Sequence, residues 1–214
     1  MFSPSALLQE GHDDFLVVNK PPGLAVHSGK NIKNSLIEIL KTQFGNNLQL
    51  IHRLDRPVSG LLIVARSAKK NRQLSQALNK GCKQYIMICK GRFSKPKRVI
   101  KNPLKIKNKI LPAETAVAVR KSFASFSLVT ATLKTGRMHQ IRRHMAAAEH
   151  PLLGDDKYGD FAFNKKYRRP AGKALFLHSW KLGFTYMSRA YSFCVPPPPY
   201  FSNFLRVYNI NFTF

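Results

Sequence analysis

Short apolar runs, each cut off by glycine or proline, constrain this chain more than any other feature. FLVVNKPPGLAV, starting at Phe15, meets a Pro-Pro-Gly break, which predicts a buried strand ending in a tight turn. GLLIVAR (60–66) and QYIMICKG (84–91) have the same character. ETAVAVR, FASFSLVTATL and ALFLHSWKLGFTYM alternate or run apolar as sheet strands do.

Helices are fewer. In NSLIEILKTQFG, Leu36, Ile37, Leu40 and Phe44 share one helical face, Ser35 and Glu38 have capping-box spacing, and Gly45 supplies the stop. SAKKNRQLSQALNKG (67–81) opens on a serine cap and closes at Gly81, and HQIRRHMAAAEH (139–150) is rich in helix formers behind Gly136. RFSKPKRVIKNPLKIKNK (92–109) is expected to be a solvated basic loop or a short hairpin. Four prolines in VPPPPYFSNFLRVYNINFTF predict an extended polyproline segment before an apolar tail. With strands outnumbering helices and several neighbours hairpin-connected, the expected class is α+β with a largely antiparallel sheet.

Charge narrows the partners. The chain holds 36 Lys and Arg against 10 Asp and Glu, a formal net charge of +26. With 44% apolar residues it still has material for a core. Such an excess recruits polyanions, and nucleic acid is the default partner. A protein that only coats phosphates, as ribosomal and nucleoid proteins do, fits the composition alone, and an anionic membrane is a third option. Three cysteines without a C-x-x-C pair argue against a disulfide framework and a zinc site. No leader pattern or long apolar span is present, so a soluble, cytoplasmic protein is expected.

From Ile39 to Ala113 the chain carries a single acidic residue, Asp55, in IHRLDRPVSG. Flanking Arg53 and Arg56 favour its ionised form. Asp55 can be a turn residue with a local Asx bond, or a nucleophile or base acting on a nucleotide. A lone carboxylate fits neither two-carboxylate glycoside hydrolysis nor two-metal phosphoryl transfer, unless Asp13, Asp14, Asp155, Asp156 or Asp160 joins it in space.

The run His52-Arg53-Leu54-Asp55-Arg56-Pro57-Val58-Ser59-Gly60-Leu61 resembles the catalytic motif of the RluA-type pseudouridine synthases, whose aspartate is essential. Asp14 to Leu24 (DFLVVNKPPGL) resembles the family's opening motif, Lys83-Gln84-Tyr85 its K-x-Y motif, and Gly136 to His144 (GRMHQIRRH) its G-R-x-H-Q-I-R-x-H motif. HPLLGDDKYGD (150–160) and Leu177-His178 also match, in the family's order.

The resemblance implies a pseudouridine synthase fold, α+β with a mixed, mostly antiparallel sheet and flanking helices. It further implies a single catalytic domain over 1–214, with its motifs within about 13–200. It implies no cofactor and no metal, since uridine isomerisation is redox-neutral and needs no energy donor. By the same resemblance Asp55 is the catalytic carboxylate, as nucleophile or base. Tyr85 lies against the uracil ring, and Arg142 pairs with the aspartate. The target base is buried in folded RNA and must be extruded. Arg53 is the candidate wedge for the gap. Arg137 with the first turn of its helix, Lys20, Arg56 and Arg143 are candidate phosphate contacts.

His52, His139 and His144 lack a matching ligand set and are read as core or RNA contacts. The chain starts within a few residues of its first motif, without the S4-like domain of many relatives. Substrate selection is therefore expected from the catalytic domain and its basic loop. The expected partner is structured RNA, as a monomer, without membrane or DNA. The DDKYGDFAFNK segment (155–165) favours ribosomal RNA, whereas Arg56-Pro57 is similar to the branch acting on transfer RNA. A ribosome-assembly factor without chemistry and a nuclease built on Asp155, Asp156 and Asp160 are the competing readings.

Overall fold

The computed structural model describes residues 3–29 and 34–212, so the last two residues of the apolar tail lie outside the described residues. The chain folds as two compact units, neither continuous in sequence. The first holds residues 1–82 and 179–196, the second 83–178 and 197–214.

The first unit opens with α1 (Pro4–Leu7), β1 (Leu8–Gly11) and β2 (Phe15–Lys20), followed by α2 (Leu36–Phe44), β3 (Gln49–Leu50), β4 (Ser59–Ala65) and α3 (Ala68–Lys80). β2 pairs antiparallel with β1 on one side and β4 on the other, in a register that sets Phe15 opposite Ala65 and Lys20 opposite Gly60. All seven residues of β4 are buried, as its unbroken apolar run predicts for a strand covered on both faces. Phe15, Val17, Leu61 and Ile63 share a core with Leu74 and Leu78 of α3. Burying each of those leucines contributes roughly 1.5–3 kcal/mol.

The caps fall where the side chains predict them. Ser35 accepts from the Glu38 amide and Ser67 from the Lys70 amide, meeting donors that a helix start leaves unpaired. Gly60, at φ +110°, brings β4 against the backbone of Ser179, whose carbonyl oxygen would collide with any Cβ there. Serine 179 belongs to β11 (Leu177–Tyr186), which pairs antiparallel with β12 (Arg189–Cys194).

The second unit contains β5 (Cys82–Lys90), β6 (Lys97–Ile100), β7 (Leu104–Ile106), β8 (Lys109–Leu111), β9 (Thr115–Ser122) and β10 (Phe126–Leu133). It is completed by α4 (Gln140–Ala147), α5 (Phe161–Lys166), α6 (Arg168–Ala171) and α7 (Pro199–Val207). β10 lies antiparallel between β5 and β9, with Tyr85 opposite Ala131, and β6 extends β9. Every ladder named in either unit is antiparallel, in keeping with the expected α+β class.

Two expectations are refined. The basic segment 92–109 supplies β6, the fourth strand after β5, β10 and β9, and most of the β7–β8 hairpin, so hairpin is right and loop is not. The proline segment leaves its extended course at Pro198, one residue short of the fourth proline. Pro199 is the first residue of α7, where its missing N–H is no loss, and Phe201, Phe204 and Leu205 bury one face. Phe176, Phe126, Tyr167 and Tyr208 ring Phe204 at centroid distances of 4.8 to 6.0 Å. Among the described residues no helix is long and apolar enough to cross a membrane.

Candidate active site

Asp55 stands in the loop between β3 and β4, half-buried between the exposed Arg53 and Arg56. Leu54 and Val58 sink into the core on either side and pin the loop, and the Val58 amide closes a turn onto the Asp55 carbonyl at 3.0 Å. The turn is tied to the Pro-Pro-Gly break after β2. Gly23 N–H donates to the Arg56 carbonyl at 2.8 Å, and Arg56 Nε donates back to the Gly23 carbonyl at 3.0 Å. His52 Nε2 accepts the Ile63 amide at 2.9 Å, which leaves any proton of the neutral ring on Nδ1.

Lys20 corrects the sequence reading. Expected as a phosphate contact, it is fully buried, and its Nζ donates to the carbonyls of Pro21, Leu24 and Arg56 at 2.8, 2.9 and 3.1 Å. Its three donors are spent on backbone, so it cannot reach solvent phosphate. Burial pulls its pKa down to about 7, against the field of the Asp55 carboxylate, which favours the ammonium. Its place is behind the Asp55 loop, holding the Arg56 carbonyl.

Tyr85 and Arg142 belong to the second unit. Tyr85 is buried on β5, two residues after the buried Lys83. Cys89, on the same strand, is a buried thiol whose pKa burial raises, so it is no nucleophile.

Arg142, with 4% of its side chain exposed, is seated by a carboxylate thirteen positions on in the chain, a residue the motif reading left without a role. Its Nε donates to Asp155 Oδ2 at 2.8 Å and its Nη2 to Oδ1 at 2.7 Å, with Nη2 also 3.3 Å from Asp156 Oδ1. The guanidinium lies 5.2 Å from the ring centroid of Tyr158, whose hydroxyl meets His139 Nδ1 at 2.9 Å. Burial raises the Asp155 pKa, but the Arg142 fork and the amides of Tyr158 and Lys157 outweigh it, and the net shift is downward. The only sequence signal for Asp155 is its place in the HPLLGDDKYGD motif.

The start of α4 is organised by Gln140. Its Oε1 accepts from the Arg137 amide and the Thr135 hydroxyl, while its Nε2 donates to the Glu114 carbonyl and Thr115 Oγ1. Arg137 therefore has its amide on Gln140 and its Nε on the Pro112 carbonyl, so neither is open to a phosphate. Arg143 donates through Nη1 to the Lys105 carbonyl of the β7–β8 hairpin. His144 is fully buried, with Nε2 donating to the Asn102 carbonyl and Nδ1 accepting from Thr115. These histidines tie segments together.

The nuclease reading finds no support. Asp155 is taken by Arg142, and Asp160 caps α5 through the Phe163 amide and pairs with Lys90 at 2.6 Å. Among the described residues no group of three or more His, Cys, Asp and Glu side chains is placed to hold a metal ion.

Comparison with known proteins agrees with the motifs. The chain is 33% identical over 202 residues to the ribosomal large subunit pseudouridine synthase C of Haemophilus ducreyi, covering 87% of this chain and 63% of that protein. It is 36% identical over 186 residues to the protein of the same name from Pasteurella multocida, covering 79% of this chain and 57% of the other. The chain thus spans about three fifths of the length of these relatives. The solved structure of human RNA pseudouridylate synthase domain containing 4 has the same fold, with a TM-score of 0.78 at 23% identity, over 95% of this chain and 94% of that one. A family model described as RNA pseudouridylate synthase matches residues 14–147, well over half the chain, and on this ground the chain belongs to the RNA pseudouridylate synthase family.

Proposed function

We propose that this chain isomerises uridine to pseudouridine in structured RNA, with large-subunit ribosomal RNA as its substrate. The family match carries the reading, because residues 14–147 include Asp55, Tyr85 and Arg142 together. The ribosomal substrate draws on the names of the bacterial relatives.

The chemistry breaks the N1–C1′ glycosidic bond, turns the base, joins C5 to C1′, and exchanges the C5 proton for one on N1. Atoms and charge balance without an oxidant, reductant or energy donor. Asp55 acts as the essential carboxylate, attacking the sugar or base or serving as a base. Tyr85 lies against the uracil ring, and Arg142, oriented by Asp155, serves as the basic partner of that carboxylate. Arg53 fills the gap left by the extruded base. Arg56 and Arg143 contact phosphates, and Lys20 works indirectly by fixing the Arg56 carbonyl.

The test uses ribosomal RNA and transfer RNA transcribed without modification and tritiated at uridine C5. Tritium release from ribosomal RNA, abolished in Asp55→Asn, is expected. Release from transfer RNA alone would move the substrate assignment. Undiminished release by Asp55→Asn would overturn the mechanism.

A further inference from the structure

The second unit carries a concave site with no part in the chemistry assigned above. A cavity of about 330 Å³ is walled by Leu153 and Gly154, by Phe161 and Asn164 of α5, and by the basic residues Lys165, Arg168 and Lys173. Phe161 leaves 81% of its surface exposed, more than any other large apolar residue described. We propose that this cavity is an RNA subsite that stacks one unpaired nucleobase on Phe161 and holds its flanking phosphates on Lys165, Arg168 and Lys173. The proposal rests on the RNA-acting reading above and adds where a nucleotide other than the target is held.

Phe161 is exposed on a rigid support. Asp160 accepts the Phe163 amide at 2.7 Å and is itself gripped by Lys90. Asn164 bridges the cavity wall, accepting from the Gly154 amide at 2.8 Å and donating to the Asp155 carbonyl at 3.1 Å. An aromatic ring held ready loses little freedom when a base stacks on it, and every base offers a π-face. The fit is also electrostatic. Among the described residues, Lys165, Arg168 and Lys173 pair with no carboxylate. The one acid at the cavity, Asp156, faces Arg142 at 3.3 Å. Three unneutralised cations around an apolar floor match an anionic chain carrying flat apolar bases, and an acidic or apolar peptide would leave one of the two features unused. The same Asp156 links the cavity wall to the Arg142 cluster of the second unit.

Affinity for an unmodified large-subunit ribosomal RNA transcript, measured from 50 to 200 mM salt, tests the site. Phe161→Ala should weaken binding roughly 5- to 150-fold with an unchanged salt slope, because stacking carries no charge. Phe161→Trp should restore it. Replacing Lys165, Arg168 and Lys173 together by Ala should weaken binding and flatten the slope of log Kd against log salt by about 2. Phe161→Ala binding within twofold of the unsubstituted protein would overturn the proposal. So would a loss seen only on ribosomal particles and not on naked RNA, which would assign the cavity to a protein. If the unsubstituted protein releases tritium but Phe161→Ala binds normally, the subsite fails and the enzyme stands. If it releases none while Phe161→Ala weakens binding, the enzyme reading fails and the subsite stands.

Discussion

Arg142 and Asp155 form a buried two-bond fork, 2.7 and 2.8 Å long, with 4% and 1% of their side chains exposed. A fork of this kind fixes the plane of the guanidinium as well as its position. Asp156, with 90% of its side chain exposed, touches the same Nη2 without sharing the burial.

The two neighbours should therefore respond differently to loss of charge. Asp155→Asn leaves a buried cation short of its partner and should cost about 3 kcal/mol in urea unfolding. Asp156→Asn should cost about 0.5 kcal/mol or less. Equal effects would show that the fork does not stabilise the fold.

Acid should act through the same carboxylate. The folded-state pKa of Asp155 lies below the ordinary 3.8, so on acidification the unfolded chain takes up this proton first. The stabilisation is fully present above the unfolded value and is lost as pH falls through the folded one. Unfolding curves from pH 6 down to about 2 should steepen below about pH 4 in the parent chain and flatten in Asp155→Asn.

Lys20 has the opposite chemistry and the same sign. Its pKa falls from 10.5 unfolded to about 7 folded, so between those values the unfolded chain holds more protons at this site. Its contribution to stability is complete above the unfolded value and declines as pH falls toward 7. The difference between the parent chain and Lys20→Met, followed across that window, should show this slope.

Lys20→Met should also leave the salt dependence of RNA binding unchanged, since its Nζ is spent on three carbonyls. Arg56→Ala, at an exposed position, should reduce the slope by about 0.7 to 0.9. A reduced slope in Lys20→Met would return that residue to the phosphate contacts.

Gly60→Ala should destabilise by about 3 kcal/mol or more, because φ is +110° and the Ser179 backbone occupies the space a methyl group needs. A denaturation midpoint equal to that of the parent would show that β4 can withdraw from Ser179.

Features set by neighbouring residues could be read before folding was known. Ser35 and Ser67 cap helices within three residues of themselves, and Phe15 to Val18 makes a strand by composition alone. Pro199 was misread because proline signals both an extended chain and a first helical turn. The spacing of Phe201, Phe204 and Leu205 favoured the turn. Lys20 was misread because its burial depends on carbonyls from both Leu24 and Arg56, the latter thirty-six positions away. Asp55, Tyr85 and Arg142 came from motif order, which carries their chemistry but not their surroundings. The Asp155 partner of Arg142 emerged only from the folded chain.

The interleaving of the two units bears on how this protein emerges from a translating ribosome. Residues 1–82 wait for β12, which ends at Cys194, and the second unit waits for α7. Neither half has its full complement of partners while the rest is being made, so vectorial synthesis cannot deposit one finished unit and then the next. The nascent chain must carry its apolar strands, β4 and β5 among them, unsatisfied through most of elongation, when aggregation is the competing fate. A premature stop anywhere before the end of β12 would leave both units incomplete, not one intact and one missing.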